Sequence, residues 1–155
     1  MPYPAGSAND RRGDVMIVEN ARILVRDPRT VDVARAYLAA IEARDIHALR
    51  GLVGREVVLT HANYPPVTGR DEAIDMIEAY LEIIEGVEFE VLTLLGDENI
   101  VLIEKVNVAE TSDGAGARIR VATILETDAD GRISSIRIYA DTADLFHRPD
   151  LPRSY

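Results

Sequence analysis

The stretch Leu59–Leu81, LTHANYPPVTGRDEAIDMIEAYL, carries the reading of the fold. It begins as a β-prone run ending at His61, bends through Pro65-Pro66 and Gly69, and becomes helix-periodic. Ala73, Ile74, Ile77, Tyr80, Leu81 and Ile84 recur at spacings of three and four, which makes one apolar helix face. Thr68 followed three residues later by Asp71 reads as a capping box with Asp in place of Glu. A strand that ends in a titratable side chain directly before a helix can hold that side chain over a bound small molecule.

Upstream, Asp27-Pro28 starts a helix, because proline at the first helical position gives up an N–H that has no partner there. The helix is expected to run to about Ala43, with Val31, Ala34, Tyr37, Leu38 and Ile41 on one face. Asp45 caps a short second helix with Ile46, Leu49, Leu52 and Val53 inward, and a strand follows over 56–61. From Gly86 the pattern changes from helix to strand. Strands are expected at about 87–95, 99–110, 117–127 and 132–141, and their short linkers imply an antiparallel meander.

The fold class is therefore α+β: three N-terminal helices packed on a strongly curved mixed or antiparallel sheet, forming a cone with an internal pocket. Residues 28–147 make that domain, including a last helical turn at 142–147. Residues 1–27 read as a tail or arm, with two β-prone runs in 15–26 that suit an extra strand or a dimer contact, and 148–155 as a C-terminal tail.

The 155 residues are 47% hydrophobic and 28% charged, enough for one domain with a real core. Six Tyr, two Phe and no Trp make that core mostly aliphatic. A net charge of −10 argues against nucleic acid, which needs a concentrated cationic face. No Lys/Arg cluster flanks an apolar helix and no apolar run is long enough to span a bilayer, so no membrane role is expected. The start, MPYPAGSANDRRGD, has no apolar leader, so no secretory signal is expected. The absence of cysteine removes disulfides, thiolate metal sites and cysteine nucleophiles, and fits a cytoplasmic location.

No metal or cofactor is expected. His47, His61 and His147 lack metal-ligand spacing, and His47 and His147 read as surface residues. Asp128-Ala129-Asp130-Gly131 has Tyr139 where a calcium loop needs its bidentate Glu, and reads as a hairpin turn.

Strand alternation places Ile103, Lys105, Asn107 and Ala109 on one face. Lys105 and Asn107 are the polar pair assigned to a pocket; the alternative for Lys105 is a side chain snorkelling to solvent. His61 has the ordinary pKa best suited to proton transfer near neutral pH, against the plainer role of a hydrogen-bonded structural histidine. Tyr37 offers its hydroxyl either to a pocket oxyanion or to a protein partner. Thr123 shares a strand face with Ile119 and Val121.

Tyr37-Leu-Ala-Ala-Ile-Glu-Ala-Arg-Asp45, His61 through Gly69-Arg70, and Gly131-Arg132-Ile133 through Tyr139 together resemble the nuclear-transport-factor-like α+β cone superfamily. That group includes ketosteroid isomerase, limonene epoxide hydrolase, scytalone dehydratase and SnoaL-type polyketide cyclases. Compared with ketosteroid isomerase, the resemblance puts the oxyanion tyrosine on Tyr37, the general-base aspartate on His61 and the protonated aspartate on Thr123. Compared with limonene epoxide hydrolase, the catalytic arginine falls on Lys105 and the two aspartates on Asn107 and Ile138, while the water-positioning Tyr and Asn fall on Leu59 and His61. The aspartate base of SnoaL-like cyclases has no matching pocket carboxylate.

Parity and resemblance together imply a pocket carrying Tyr37, His61, Lys105, Asn107 and Thr123, with Leu59, Tyr64, Ile103, Ile119, Val121, Ile136 and Ile138 around the substrate. The function implied is a cofactor-independent cyclase or isomerase acting on a small hydrophobic, polyketide-like or other natural-product intermediate. His61 would be its base or acid, and Tyr37 and Lys105 would hold a developing oxyanion. Shape-controlled, even pericyclic, cyclisation would need no base. The alternatives are a non-catalytic binding module, an epoxide hydrolase-like enzyme with a degenerate set, and an interaction protein using the outer sheet face. The last would gain if side chains such as Tyr80 and Phe89 filled the cone. The resemblance also implies a homodimer.

Overall fold

A computed structural model describes residues 15–141; residues 1–14 and 142–155, with the expected C-terminal turn, tail and His147, lie outside the described residues. The elements in chain order are β1 (Met16–Val25), α1 (Pro28–Glu42), α2 (Ile46–Leu52), β2 (Val53–His61), β3 (Val67–Thr68), α3 (Arg70–Ile83), β4 (Gly86–Asp97), β5 (Ile100–Glu110), β6 (Ala117–Thr127) and β7 (Ile133–Ala140). Two helix starts follow from local chemistry. The Asp27 carboxylate accepts the Arg29 N–H with Pro28 in the first turn, and the Asp45 carboxylate accepts the Ala48 N–H at 2.9 Å.

The capping box expected at Thr68–Asp71 does not form. Thr68 belongs to β3, and the N-cap of α3 is Gly69, at φ 110°, with no side-chain cap bond. Glu72, not Asp71, stands three residues after the cap, and its carboxylate lies where a Cβ at position 69 would sit. The backbone angle is what calls for glycine there, since the carboxylate ends a flexible side chain that could swing aside.

β4 to β7 pair antiparallel in sequence order, as short linkers require. β1 adds in parallel to β4, and β2 adds in parallel to β7 with β3 beyond it, giving one seven-stranded mixed sheet in the order β1-β4-β5-β6-β7-β2-β3. The helices are therefore not the first elements: Met16–Val25, read as part of an arm, is a strand of the sheet. α1 lies against β4 and β5, and α3 against β2. Val53, expected on the short helix, instead begins β2 and is fully buried.

The core is aliphatic, as the composition requires. Among its fully buried side chains are Leu49, Ile74, Ile103, Leu125, Ile133 and Ile136. β5 and β7 both run antiparallel to β6. Ile136, Leu125 and Val101 pair across β7, β6 and β5 as one buried row, and Ile103 pairs with Thr123 in the row beside it. Truncating Ile136 to Ala there should cost about 2–5 kcal/mol of unfolding free energy, and Ile136→Val about 0.5–1.5 kcal/mol. Urea denaturation checks this, and equal, negligible losses would contradict a packed row.

Candidate functional site

Three transverse rows of paired residues make the floor of a cavity on the inner sheet face. His61 pairs with Ile138 and Ile138 with Thr123, across β2, β7 and β6. Ala140, Val121 and Lys105 form the next row, and Ile119, Asn107 and Phe89 the third. Alternation gives these residues a common face, and α1 and α3 supply the roof through Tyr37, Leu38, Ile41, Met76, Ile77 and Tyr80. The cavity measures about 200 Å³.

All five side chains assigned to chemistry from the sequence border this cavity: Tyr37, His61, Lys105, Asn107 and Thr123. So do Leu59, Tyr64, Ile119, Val121 and Ile138. Ile103 and Ile136 do not. They share the strand faces of lining residues and pair with two of them, Thr123 and Leu59, but are fully buried in the core and do not border the cavity. Tyr80 and Phe89 line the cavity instead of filling it. Tyr80, expected on the apolar face of α3, borders the cavity, as do Met76, Ala79, Ile83 and Ala140, which the sequence reading does not single out. A signal for Ile83 was available: it falls off the apolar stripe of α3 and is 42% exposed. His47 is exposed.

Lys105 does not snorkel to solvent. It is 4% exposed, its Nζ donates to the Asn107 Oδ1 at 2.5 Å, and it stands 4.4 Å from the centre of the Phe89 ring. Burial brings its pKa down to about 7, against a smaller upward pull from Glu42. The Glu42 carboxylate accepts the Phe89 N–H at 2.7 Å, yet burial holds its pKa above the usual carboxylate value. Asn107 Nδ2 lies 3.4 Å from the Tyr80 hydroxyl, extending the Lys105–Asn107 pair across to α3.

His61 ends β2 where the chain turns sharply. Ala62 adopts a left-handed φ of 47°, and its N–H donates to the Ile138 carbonyl at 2.7 Å. The turn brings the rings of Tyr64 and Tyr80 to 6.1 and 6.4 Å from the His61 ring, with Tyr64, 55% exposed, on the rim. Burial lowers the His61 pKa, and the charge of Lys105 lowers it further, so the imidazole is held neutral near pH 7. Tyr37 is buried beneath α1, and burial, with the neighbouring Tyr80, raises its pKa. Among the described residues no side chain or backbone group takes up the Tyr37 hydroxyl. That leaves its donor facing the cavity.

The cavity thus joins a large apolar lining to one neutral imidazole, one desolvated amine, one uncommitted phenol and an amide. It contains no carboxylate among the described residues, which also hold no cluster of His, Asp or Glu suited to a metal ion. No helix among them is long and apolar enough to cross a membrane.

Comparison with known proteins is consistent with this architecture. Residues 34–136 match the model of the SnoaL-like domain family. An LEH-like epoxide hydrolase from M. tuberculosis is 21% identical at a TM-score of 0.65, covering 77% of this chain and 87% of its own. A protein from Catenulispora acidiphila with a ketosteroid isomerase-like fold, solved with trimethylamine, is 21% identical at a TM-score of 0.67 over 78% of this chain and 94% of its own. SalBIII, an epoxide hydrolase/cyclase-like enzyme of pyran ring formation in the polyether salinomycin, is 13% identical at 0.65 over 76% and 93%. At these identities the likeness is one of fold. No curated protein matches the chain.

Two measurements probe the electrostatics. The unfolded chain keeps the Lys105 proton up to about 10.5, whereas the folded chain releases it at about 7. Between those values the unfolded state binds more protons, so this group makes stability rise with pH, by at most about 1.4 kcal/mol per pH unit. Lys105→Met should therefore be more stable than the native chain at pH 6, with the difference shrinking towards pH 9 in urea titrations. In histidine-resolved NMR, His61 should titrate below 6.5 in the native chain and move part of the way back in Lys105→Met, because the larger cause, burial, remains.

Proposed function

The chain belongs to the SnoaL-like domain family, and from that premise we propose a cofactor-independent cyclase or isomerase acting on an apolar, polyketide-like or other natural-product intermediate in a cone-shaped pocket. The observation that carries this reading is the meeting of His61, Lys105 and the uncommitted Tyr37 hydroxyl around one apolar cavity. Neutral His61 takes a proton from carbon or oxygen of the substrate. Tyr37 and Lys105 stabilise the enolate or alkoxide oxygen that develops, in a dry site where such donors are worth more than in water. The aliphatic floor of Ile119, Val121 and Ile138 folds the substrate into a reactive conformation.

One observation favours a second reading. Among the described residues the lining carries no carboxylate, so the aspartate bases of the resembled enzymes have no counterpart among them. A pocket that binds or carries a lipophilic molecule without converting it needs none.

An apolar polycyclic phenol is the probe for both. It should shift the His61 titration by about one unit or more, and Tyr37→Phe should weaken its binding about tenfold, roughly 1.4 kcal/mol for a hydrogen bond in a buried site. A His61 resonance indifferent to every such ligand would remove the pocket reading. With a turned-over substrate in hand, His61→Ala combined with Tyr37→Phe should abolish conversion; unchanged turnover would end the proton-transfer role.

A further inference from the structure

Lys105 is the one lysine among the seventeen Lys and Arg residues of the chain. Every other cationic position is arginine, including the ion-paired surface ones, Arg26 with Asp97, Arg50 with Asp71 and Arg118 with Glu90. The single primary amine of a side chain therefore sits at a buried position on the cavity floor. Among the described residues no carboxylate lies within ion-pair distance of it; its contacts are the Asn107 amide oxygen and the Phe89 ring.

We propose that Lys105 captures carbonyl compounds, taking apolar aldehydes or ketones into the cavity as a covalent Schiff base. This rests on the small-molecule reading of the same pocket and gives its substrate class: molecules carrying an aldehyde or ketone on an apolar frame. A guanidinium cannot do this, since it stays protonated and has no nucleophilic lone pair. An ammonium desolvated by apolar walls loses its proton readily, and burial brings Lys105 to about 7, so a large share of it is free amine near neutral pH. The titratable groups around it are Tyr37 and Glu42 from α1, His61 from β2 and Tyr80 from α3.

The step balances without an outside oxidant or reductant. The Nζ lone pair forms a C–N bond while the carbonyl π pair moves to oxygen. Both protons of the amine leave on that oxygen as water as the C=N bond forms, and one proton from solvent, passed through His61, makes the iminium. The iminium acidifies the adjacent C–H, and His61 takes that proton to leave an enamine. The enamine forms a C–C bond to a second carbonyl of the same molecule while that carbonyl's π pair moves to its oxygen and takes the proton back, closing a ring and restoring the iminium. Water then hydrolyses the imine and returns Lys105.

The test is reductive trapping of the full chain at pH 7 with 6-methoxy-2-naphthaldehyde and sodium cyanoborohydride, read by intact mass and peptide mapping. The only other amine is the chain's N-terminus. The expected result is an adduct on Lys105 that forms about tenfold faster than on the same lysine in urea-unfolded chain. The phenol that shifts His61 should suppress this adduct and spare the N-terminal one. Lys105→Met should label at the N-terminus alone, its circular dichroism reporting that it folds. Labelling of Lys105 that is absent, or no faster than in the unfolded chain, overturns the proposal. If the phenol still shifts His61 in that case, the pocket reading stands and the covalent role falls alone; if it does not, both fall.

Discussion

The alternation of β5 is the constraint on which the site depends. Ile103, Lys105 and Asn107 point to one side of the sheet because side chains two apart on a strand must. Ile103 is fully buried in the core, so the two polar residues follow it into the interior. Covering an ammonium and an amide with tightly packed apolar side chains would cost several kcal/mol unless each were satisfied. Lys105 and Asn107 answer part of that cost with each other, with the Phe89 face and with the Tyr80 hydroxyl. The cavity roofed by α1 and α3 is the rest of the answer, since space beside such groups admits solvent or a polar ligand.

Elements whose causes are local were legible in the sequence. Asp27-Pro28 and Asp45 announce their helices through side chains that reach the first free N–H groups. The meander from Gly86 follows from strand pattern and short turns. The parallel pairings were not legible, because Met16 meets Glu90 and His61 meets Ile138 across long stretches of chain with no local marker. Parity identified the cavity face but not depth along it. Lys105 and Ile138 border the cavity, while Ile103 and Ile136, on the same strand faces, are buried away from it. The third helix start misled for a different reason. Thr68 is held by pairing with Val58, so a spacing that suits a capping box serves a short strand instead.

Resemblance and geometry divide the work between them. The family match covers residues 34–136, and the three structural likenesses extend over about three-quarters of the chain. Chemistry has to come from this chain's own lining. The cavity lining holds Lys105 and Asn107 and, among the described residues, no carboxylate, which leaves a cation without a carboxylate beside it. Such a site cannot activate water as a carboxylate base would. It favours negative charge developing on a ligand oxygen, and its neutral imidazole can accept a proton.

Lys105 and His61 are also not independent. The positive charge of one disfavours a proton on the other, and burial disfavours both. With Lys105 near 7 and His61 held below its ordinary 6.5, a proton entering the cavity resides first on the amine, leaving the imidazole as the base. Conversion of the amine to a protonated iminium would preserve this order for as long as the nitrogen holds that proton, because the nitrogen would still carry its positive charge. His61 would then stay neutral while the C–H bonds beside the new C=N became acidic. A base kept free by the same charge that activates its target needs no carboxylate in the cavity, and this is a physical route by which a lining that joins Lys105, His61 and Tyr37 can move a proton on an apolar molecule.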